Sequence, residues 1–262
     1  MDIADIRALY DQEQRQNLEL PGMRREVVGT LVRHVNLAPG DGMVIYSHLE
    51  SEAIEATVSE QIAYFESIGQ GFEWKVYSHD PPADLKDRLG ARGFEIGEDE
   101  AILVLDLENT PALLLEPVTA DLRRVTDPEQ IPSVIAVQNE VWQVDFSWLG
   151  QRLTNNLRDR PDYLSVYAAY VDDQPVAAAW INFPPENQFA SLWGGSTLDG
   201  YRRRGLYTAL LAARVQEARQ RGVRFLTVDA SMMSRPILQK LGFQLIAYAY
   251  ACAWKVDGEP RT

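Results

Sequence analysis

The stretch Leu192–Gly222, LWGGSTLDGYRRRGLYTALLAARVQEARQRG, decides how the rest of the chain is read. It starts with strand-like residues, passes a tight Arg/Gly turn and enters a long run of helix formers. A strand that feeds a helix through such a turn leaves unpaired backbone N–H groups at the positive end of the helix dipole. That combination makes an anion site. Arg202, Arg203 and Arg204 add positive charge, and Gly205 removes a side chain where an anion must come close. Cations at a helix start oppose its dipole, so three in a row ask for an anion between them. Gly194-Gly195 inside the preceding strand predicts a bulge or a close backbone approach.

Downstream, Arg224–Asp229 reads as a strand, Arg235–Leu241 as a helix stopped by Gly242, and Phe243–Trp254 as a final strand. Upstream, Asp121–Thr126 reads as a strand. Asp127 caps and Pro128 opens a helix that continues over Ile131–Trp142, and a second helix covers Phe146–Arg158. Ser165–Val171 and Val176–Phe183 form a hairpin around Asp172–Pro175. In the first half, helices are expected over Ile3–Asn17 and Met23–Val35, either side of Pro21-Gly22. A strand at Met43–His48 precedes a helix capped by Ser51, with Ile54, Val58, Ile62 and Phe65 on one face. A strand at Phe72–Ser78, a short helix capped by Asp80 and a strand at Phe94–Leu107 follow. Glu108-Asn109-Thr110-Pro111 is the linker candidate, dividing the chain into domains 1–110 and 113–262. The order WKVYSHD, helix, RGF, EAILVLDL in the first half is echoed by RFLTVDA, helix, LGF, IAYAYACAW in the second, a two-copy repeat.

The bulk numbers exclude several classes of function. With 262 residues, 46% apolar, the chain can build two cores. A net charge of −13 argues against non-specific binding to nucleic acid or anionic membranes. The N-terminal MDIADIRALYDQEQ has no apolar core, so no leader is expected, and the longest apolar run, Ile246–Trp254, is too short for a membrane span. The single cysteine, Cys252, rules out an internal disulfide, suits a reducing cytoplasmic setting, and is expected to be a buried, inert thiol. His34, His48 and His79 are scattered through the first half, so no metal is expected. There is no Gly-x-Ser-x-Gly elbow and no phosphate-binding P-loop.

Arg202-Arg203-Arg204-Gly205-Leu206-Tyr207 resembles the acetyl-CoA pyrophosphate loop of the GNAT acyltransferase superfamily, whose pattern is Gln/Arg-x-x-Gly-x-Gly/Ala. Ser231–Phe243, ending in Leu-Gly-Phe, resembles that family's last helix, and the resemblance covers Pro117–Lys255. The first half looks like a truncated copy without the Arg/Gly loop. The resemblance implies an α/β fold of α+β type with mixed sheet, built from two GNAT-like domains, the first truncated. It implies an acyltransferase that moves an acetyl group from acetyl-CoA, or another acyl-CoA, to an amine of a small molecule or peptide, by direct attack in a ternary complex. The loop residues Arg202, Arg203, Arg204, Gly205, Leu206 and Tyr207 would hold pyrophosphate, with Ser234 nearby. The backbone of Ser196, Thr197 and Leu198 would hold the pantetheine arm and thioester.

Four positions depart from the family pattern. Tyr207 stands where the loop has Gly or Ala, and Leu238 where many members carry a tyrosine that protonates the departing thiolate. Ser231 stands where asparagine is frequent, and Ser191 where some members carry a glutamate base. Candidate catalytic groups are therefore Ser231, Glu140 and Asp229. Each has a plainer reading: helix capping for Ser231 and Ser234, a solvated helix face for Glu140, a strand end for Asp229. Trp142, Phe146 and Trp148 pack between two helices or wall an apolar acceptor pocket. The rival function is a non-catalytic module that binds or senses acyl-CoA. For the first half, the roles left are forming a homodimer or shaping the acceptor pocket.

Overall fold

The computed structural model describes residues 1–256. Helix α1 (Ile3–Tyr10), opened by an Asp2/Asp5 capping box, runs into a π-helical turn at Asp11–Gln16. Strands β1 (Met23–Val28), β2 (Leu31–Asn36) and β3 (Gly42–Ser47) follow, then α2 (Ile54–Ser67), β4 (Phe72–Tyr77), α3 (Leu85–Ala91) and β5 (Glu95–Asp106). The second half contributes β6 (Leu122–Val125), α4 (Ile131–Trp142), α5 (Ser147–Asp159), β7 (Leu164–Val171), β8 (Gln174–Asn182) and β9 (Phe189–Thr197). It ends with α6 (Leu206–Gln220), β10 (Phe225–Ala230), α7 (Arg235–Lys240) and β11 (Gln244–Trp254).

Two compact units result. The first holds Met1–Leu103, Ala230–Arg235 and residues 245–256; the second holds Val104–Asp229 and Pro236–Gln244. In the first unit the strand order is β1-β2-β3-β4-β11-β5, with β11 antiparallel to β4. In the second, the end of β5 is followed by β10-β9-β8-β7-β6. The compact units therefore do not follow the linear division at residues 110 and 113: β11 joins the first unit, and the end of β5 joins the second. The reason is strand pairing, because Tyr77–Phe72 of β4 register against Ala249–Trp254 of β11. Positions 257–262 of the expected second domain lie outside the described residues.

Both units contain the same motif. In the first, β3 and β4 run parallel through Gly42–Phe72, Met43–Glu73 and Val44–Trp74. In the second, β9 and β10 run parallel through Phe189–Phe225, Ala190–Leu226 and Ser191–Thr227. A helix, α2 or α6, joins each pair, as parallel strands require. Aromatic rings close the base of each: Phe65 stacks on Phe72 at 4.4 Å, and Phe189 on Phe225 at 5.0 Å. In the second unit, α4 and α5 cover one sheet face, packing Val134, Leu149 and Leu153 on Val166, Ala178 and Trp180. On the other face Leu206 and Leu210 of α6 pack on Ala169, Ala177 and Ala179. Small alanines let α6 approach closely.

Three local expectations are corrected. Met23–Val35 is a hairpin, β1–β2, closed by Gly29-Thr30 with Val28 opposite Leu31. Gly29 has φ +58, which a helix interior does not allow, and the flanking valines favour a strand. Ser51 does not cap α2, whose N-cap is Ala53 with no side-chain bond. Asp80 does not cap α3 either; it accepts two hydrogen bonds from Arg15. Cys252 is buried in the first unit, where burial pushes its thiol up to about 12, so it is unreactive.

Candidate functional site

The expected strand–turn–helix is in place. β9 ends at Thr197, a short 3-10 turn covers Asp199–Tyr201, and α6 starts at Leu206. Arg203 has φ +62 and Gly205 φ +79, so two left-handed residues in three turn the chain into the helix. No side chain caps α6, and its first intrahelical bond runs from Ala209 N–H to Gly205 O. The N–H groups of Leu206, Tyr207 and Thr208 thus have no helical acceptor. A Cβ on Gly205 would meet nothing within 4 Å, so the space over the loop is open. Arg202 pairs with Asp199 at 2.9 Å and donates Nε to Thr197 O; Arg204 lies 5.0 Å from the Tyr201 ring. Arg203 is exposed and has no ion pair among the described residues. This loop suits a diphosphate: donors, positive charge and no bulk.

The strand before the loop is bulged. Trp180 faces Trp193 and Ala178 faces Ser196, so Ala179 of β8 opposes both Gly194 and Gly195. Gly194 has φ +64, and a Cβ there would fall 1.8 Å from the Trp180 ring. Gly195 gives way to Tyr207: its added Cβ would lie 3.0 Å from Tyr207 Cε2. The bulky residue inside the loop motif therefore packs on the second glycine of the bulge. Burial pushes the Tyr207 hydroxyl up, with Arg214 pulling it back.

Sequence reasoning missed Arg214. Its side chain is buried beneath the bulge, donating Nη1 to Trp180 O at 3.2 Å and Nε to Leu210 O at 3.0 Å. Burial lowers its pKa to about 10, opposed only in part by the neighbouring Tyr207 and Tyr167. An arginine at an apolar position of α6 was the available signal. A second missed group is Gln138 on α4. Its Nε2 donates to Gly194 O at 2.7 Å, its Oε1 accepts from Ser196 Oγ at 2.8 Å, and Trp142 Nε1 donates to that same Oγ at 3.0 Å. This network ties α4 to the bulge.

Beyond Ser191 and Thr227 the β9–β10 ladder stops. Leu198 N–H donates to Val176 O of β8. By strand alternation, Ser196 and Leu198 turn their backbone toward β8 and Thr197 turns its backbone toward the unpaired edge. Of the three backbone positions expected to hold the pantetheine arm, Thr197 alone faces the opening. Two buried hydroxyls on the flanking strands, Thr197 Oγ1 and Thr227 Oγ1, have no partner among the described residues.

The catalytic candidates are dispersed. Asp229 lies half-buried at the end of β10, on the same face as Thr227 and hence as Ser191. Glu140 is exposed on α4. Ser231 is exposed, and its Oγ accepts from Ser234 N–H at 3.4 Å and lies 3.3 Å from Ser234 Oγ. That is the geometry of a helix start, and both serines fall in the first unit. Leu238 is buried in the core, so no hydroxyl takes the family tyrosine's place there. No group of His, Cys, Asp or Glu among the described residues is arranged to hold a metal, and no helix among them is long and apolar enough to cross a membrane.

A parallel pair that parts after three residues, a bulge on one strand and an open helix start behind it together make a gap in an α/β sheet with an anion site beside it. Residues 128–243 match the family model described as "Acetyltransferase (GNAT) family", and this segment belongs to the GNAT superfamily. The chain is similar in structure to a GCN5-related N-acetyltransferase from Kribbella flavida (TM-score 0.70, 16% identity, covering 96% of this chain and 95% of that one). It is also similar to a functionally unknown conserved protein from Staphylococcus epidermidis (TM-score 0.65, 13% identity, 92% and 96% covered). A third likeness is to a tandem GNAT protein from the clavulanic acid biosynthesis pathway (TM-score 0.60, 14% identity, 93% and 86% covered). At these identities the likeness is one of fold, and the fold is that of two GNAT-like domains. No curated protein sequence matches the chain.

Proposed function

We propose that the chain moves an acetyl group from acetyl-CoA to an amine of a small molecule or peptide, by direct attack in a ternary complex. The observation that carries this reading is the opening beyond Ser191 and Thr227, which lies directly ahead of an uncapped, arginine-flanked helix start. Arg202–Tyr207 would hold the pyrophosphate, with Arg203 as the cation free to turn onto it. Thr197 N–H would orient the thioester carbonyl and stabilise negative charge on its oxygen. Arg214 would keep the bulge rigid from below. When bound, acetyl-CoA supplies the activated acyl group. Asp229, on the acceptor face of β10, would take the proton from the incoming ammonium. With Leu238 in the core, solvent is left to return a proton to the thiolate.

The second reading, a module that binds acyl-CoA without turnover, is favoured by one observation: the buried Leu238 supplies no acid. A thiol-release assay over an amine panel, run beside acetyl-CoA calorimetry, separates the two. Turnover supports the transferase. Binding with no turnover on any acceptor supports the sensor. Absence of binding removes both.

A further inference from the structure

Gly194-Gly195 leaves β9 without side chains where it kinks, and two glycines in succession give the backbone a freedom that the strand itself does not remove. The restraint comes from the helices on either side. From one face α6 contributes Arg214, whose Nη1 donates to Trp180 O at 3.2 Å and lies 3.5 Å from Trp193 O. From the other face α4 contributes Gln138, 2% exposed. Its amide spans the kink: Nε2 donates to Gly194 O at 2.7 Å, and Oε1 accepts from Ser196 Oγ at 2.8 Å. A peptide carbonyl only accepts, so the amide nitrogen has to face Gly194. Ser196 Oγ, its proton given to Gln138, accepts the indole N–H of Trp142 at 3.0 Å. Trp142, Ser196, Gln138 and Gly194 therefore form one chain of hydrogen bonds with a single direction.

A primary amide offers a donor and an acceptor side by side. A carboxylate lacks the donor, and a lysine lacks the acceptor. By fixing Gly194 O, Gln138 also fixes the N–H of Gly195, because the two ends of a trans peptide point opposite ways. By fixing Ser196 it holds the residue next to Thr197. Resting on the acyltransferase reading above, we propose that Gln138 is a positioning residue, which holds the bulge in the arrangement that turns Thr197 N–H to the thioester carbonyl. Buried behind β9, it touches neither substrate. Its loss leaves the Arg202–Tyr207 loop as it is and frees the 194–195 peptide to rotate. The chemical step then suffers and acetyl-CoA binding does not.

Two substitutions in the full chain separate positioning from packing. Gln138→Met keeps the length and removes both bonds. Its kcat should fall at least about tenfold at every pH, with acetyl-CoA affinity, read by calorimetry, within about threefold of wild type. Gln138→Glu keeps an oxygen for Ser196 and donates to Gly194 O only while its carboxyl is protonated. The groups around that carboxyl are Ser196 and the Gly194 carbonyl on β9, Trp142 and the exposed Glu140 on α4, and Arg214 of α6 across the bulge. Burial against a carbonyl raises a glutamate above its ordinary value of about 4.3. The kcat of Gln138→Glu relative to wild type should therefore be highest in acid and fall as pH rises, while that of Gln138→Met stays level. A kcat for Gln138→Met within about twofold of wild type, or a level ratio for Gln138→Glu, overturns the proposal. So does a loss of acetyl-CoA affinity as large as the loss of kcat, the mark of a merely structural role. Spectra of the chain labelled with 15N-glycine need no turnover: the Gly195 amide should titrate in Gln138→Glu and stand still in wild type, and a Gly195 signal that ignores the substitution removes the clamp. The underlying reading fails separately. A titrating Gly195 in a chain whose wild type transfers no acetyl group would retain the clamp and remove the acyltransferase.

Discussion

Beyond Val44 and Trp74 in the first unit, and beyond Ser191 and Thr227 in the second, a parallel pair stops after three registered positions. In the second unit, Arg202, Arg203, Arg204 and Gly205 lead into the helix behind the opening. In the first, the opening is closed from within. Arg15, fully buried, donates Nε to Ile45 O of β3 and both oxygens of Asp80, just past β4, accept from its Nη2. Its guanidinium lies 3.7 Å from the Tyr77 ring centroid and bonds Asp11 at 2.7 Å. The chain leading into α2 carries Glu50 and Glu52, with Glu55 in the first helical turn, where the second unit has arginines. The same backbone device is thus an anion site in one unit and a filled, acidic-rimmed joint in the other. A parallel pair that parts must be filled by something; what decides is whether the filler is a side chain of the chain itself.

The largest disruption should come from separating the linear halves. A chain lacking residues 1–110 loses β4, the partner of β11, and is expected to be insoluble or to lack a cooperative melt. A soluble, cooperatively melting fragment that binds acetyl-CoA would break the comparison by showing that the second half needs no strand from the first. Next, Arg15→Ala leaves Asp80 buried without its cation and should cost about 3–5 kcal/mol in urea unfolding. Calorimetry of the folded variant should still show one acetyl-CoA site per chain, as in wild type, because the acidic rim remains; two sites in either protein would contradict the filled-joint account. Gly194→Ala places a methyl into the Trp180 ring at a left-handed φ and should cost roughly 2–4 kcal/mol, read as a fall in melting temperature, with weakened acetyl-CoA binding. Arg203→Ala, by contrast, removes a side chain with no internal partner. Its melting temperature should stay put while acetyl-CoA affinity falls roughly tenfold.

The smallest effect is a pH dependence confined to the first unit. Burial pushes the Asp11 carboxyl up, but the hydrogen bond from His79 and the Arg15 charge more than offset this and hold it below the usual range. A carboxylate whose folded pKa is depressed stabilises the fold above its unfolded pKa of about 4, and that share is lost as pH falls through the folded value. Thermal melts between neutral pH and about pH 3 should therefore fall less steeply for Asp11→Asn than for wild type. Identical slopes would remove Asp11 from the joint's account.

How much of this the chain displays in its letters depends on range. The Leu192–Gly222 motif is local, and its loop, bulge and helix all follow from glycines and arginines within one window. The Asp127 cap is local too, with its side chain accepting from Glu129 N–H. The β1–β2 hairpin is local as well, yet the apolar residues of Met23–Val35 also fit a helical spacing, and only the left-handed Gly29 of the Gly29-Thr30 turn argues against a helix. What the sequence hides is long-range. Asp80 looks like a helix cap until Arg15, from the far end of the unit, claims it. Arg214 looks like a surface arginine until the bulge carbonyls are above it. Leu198 looks like a ligand contact until its N–H is seen committed to Val176. Trp142 reaches β9 through Ser196, which nothing in the spacing links to it.

The placement of β11 also bears on how the protein is made. Gln244–Trp254 lies between β4 and β5 in the strand order of the first unit. During synthesis the first unit therefore emerges with a central strand missing and waits for most of the chain before its sheet is whole. Until translation has passed Trp254, the edges of β4 and β5 are unpaired and open to other strands. An N-terminal half that leaves the ribosome first is, in this chain, completed last.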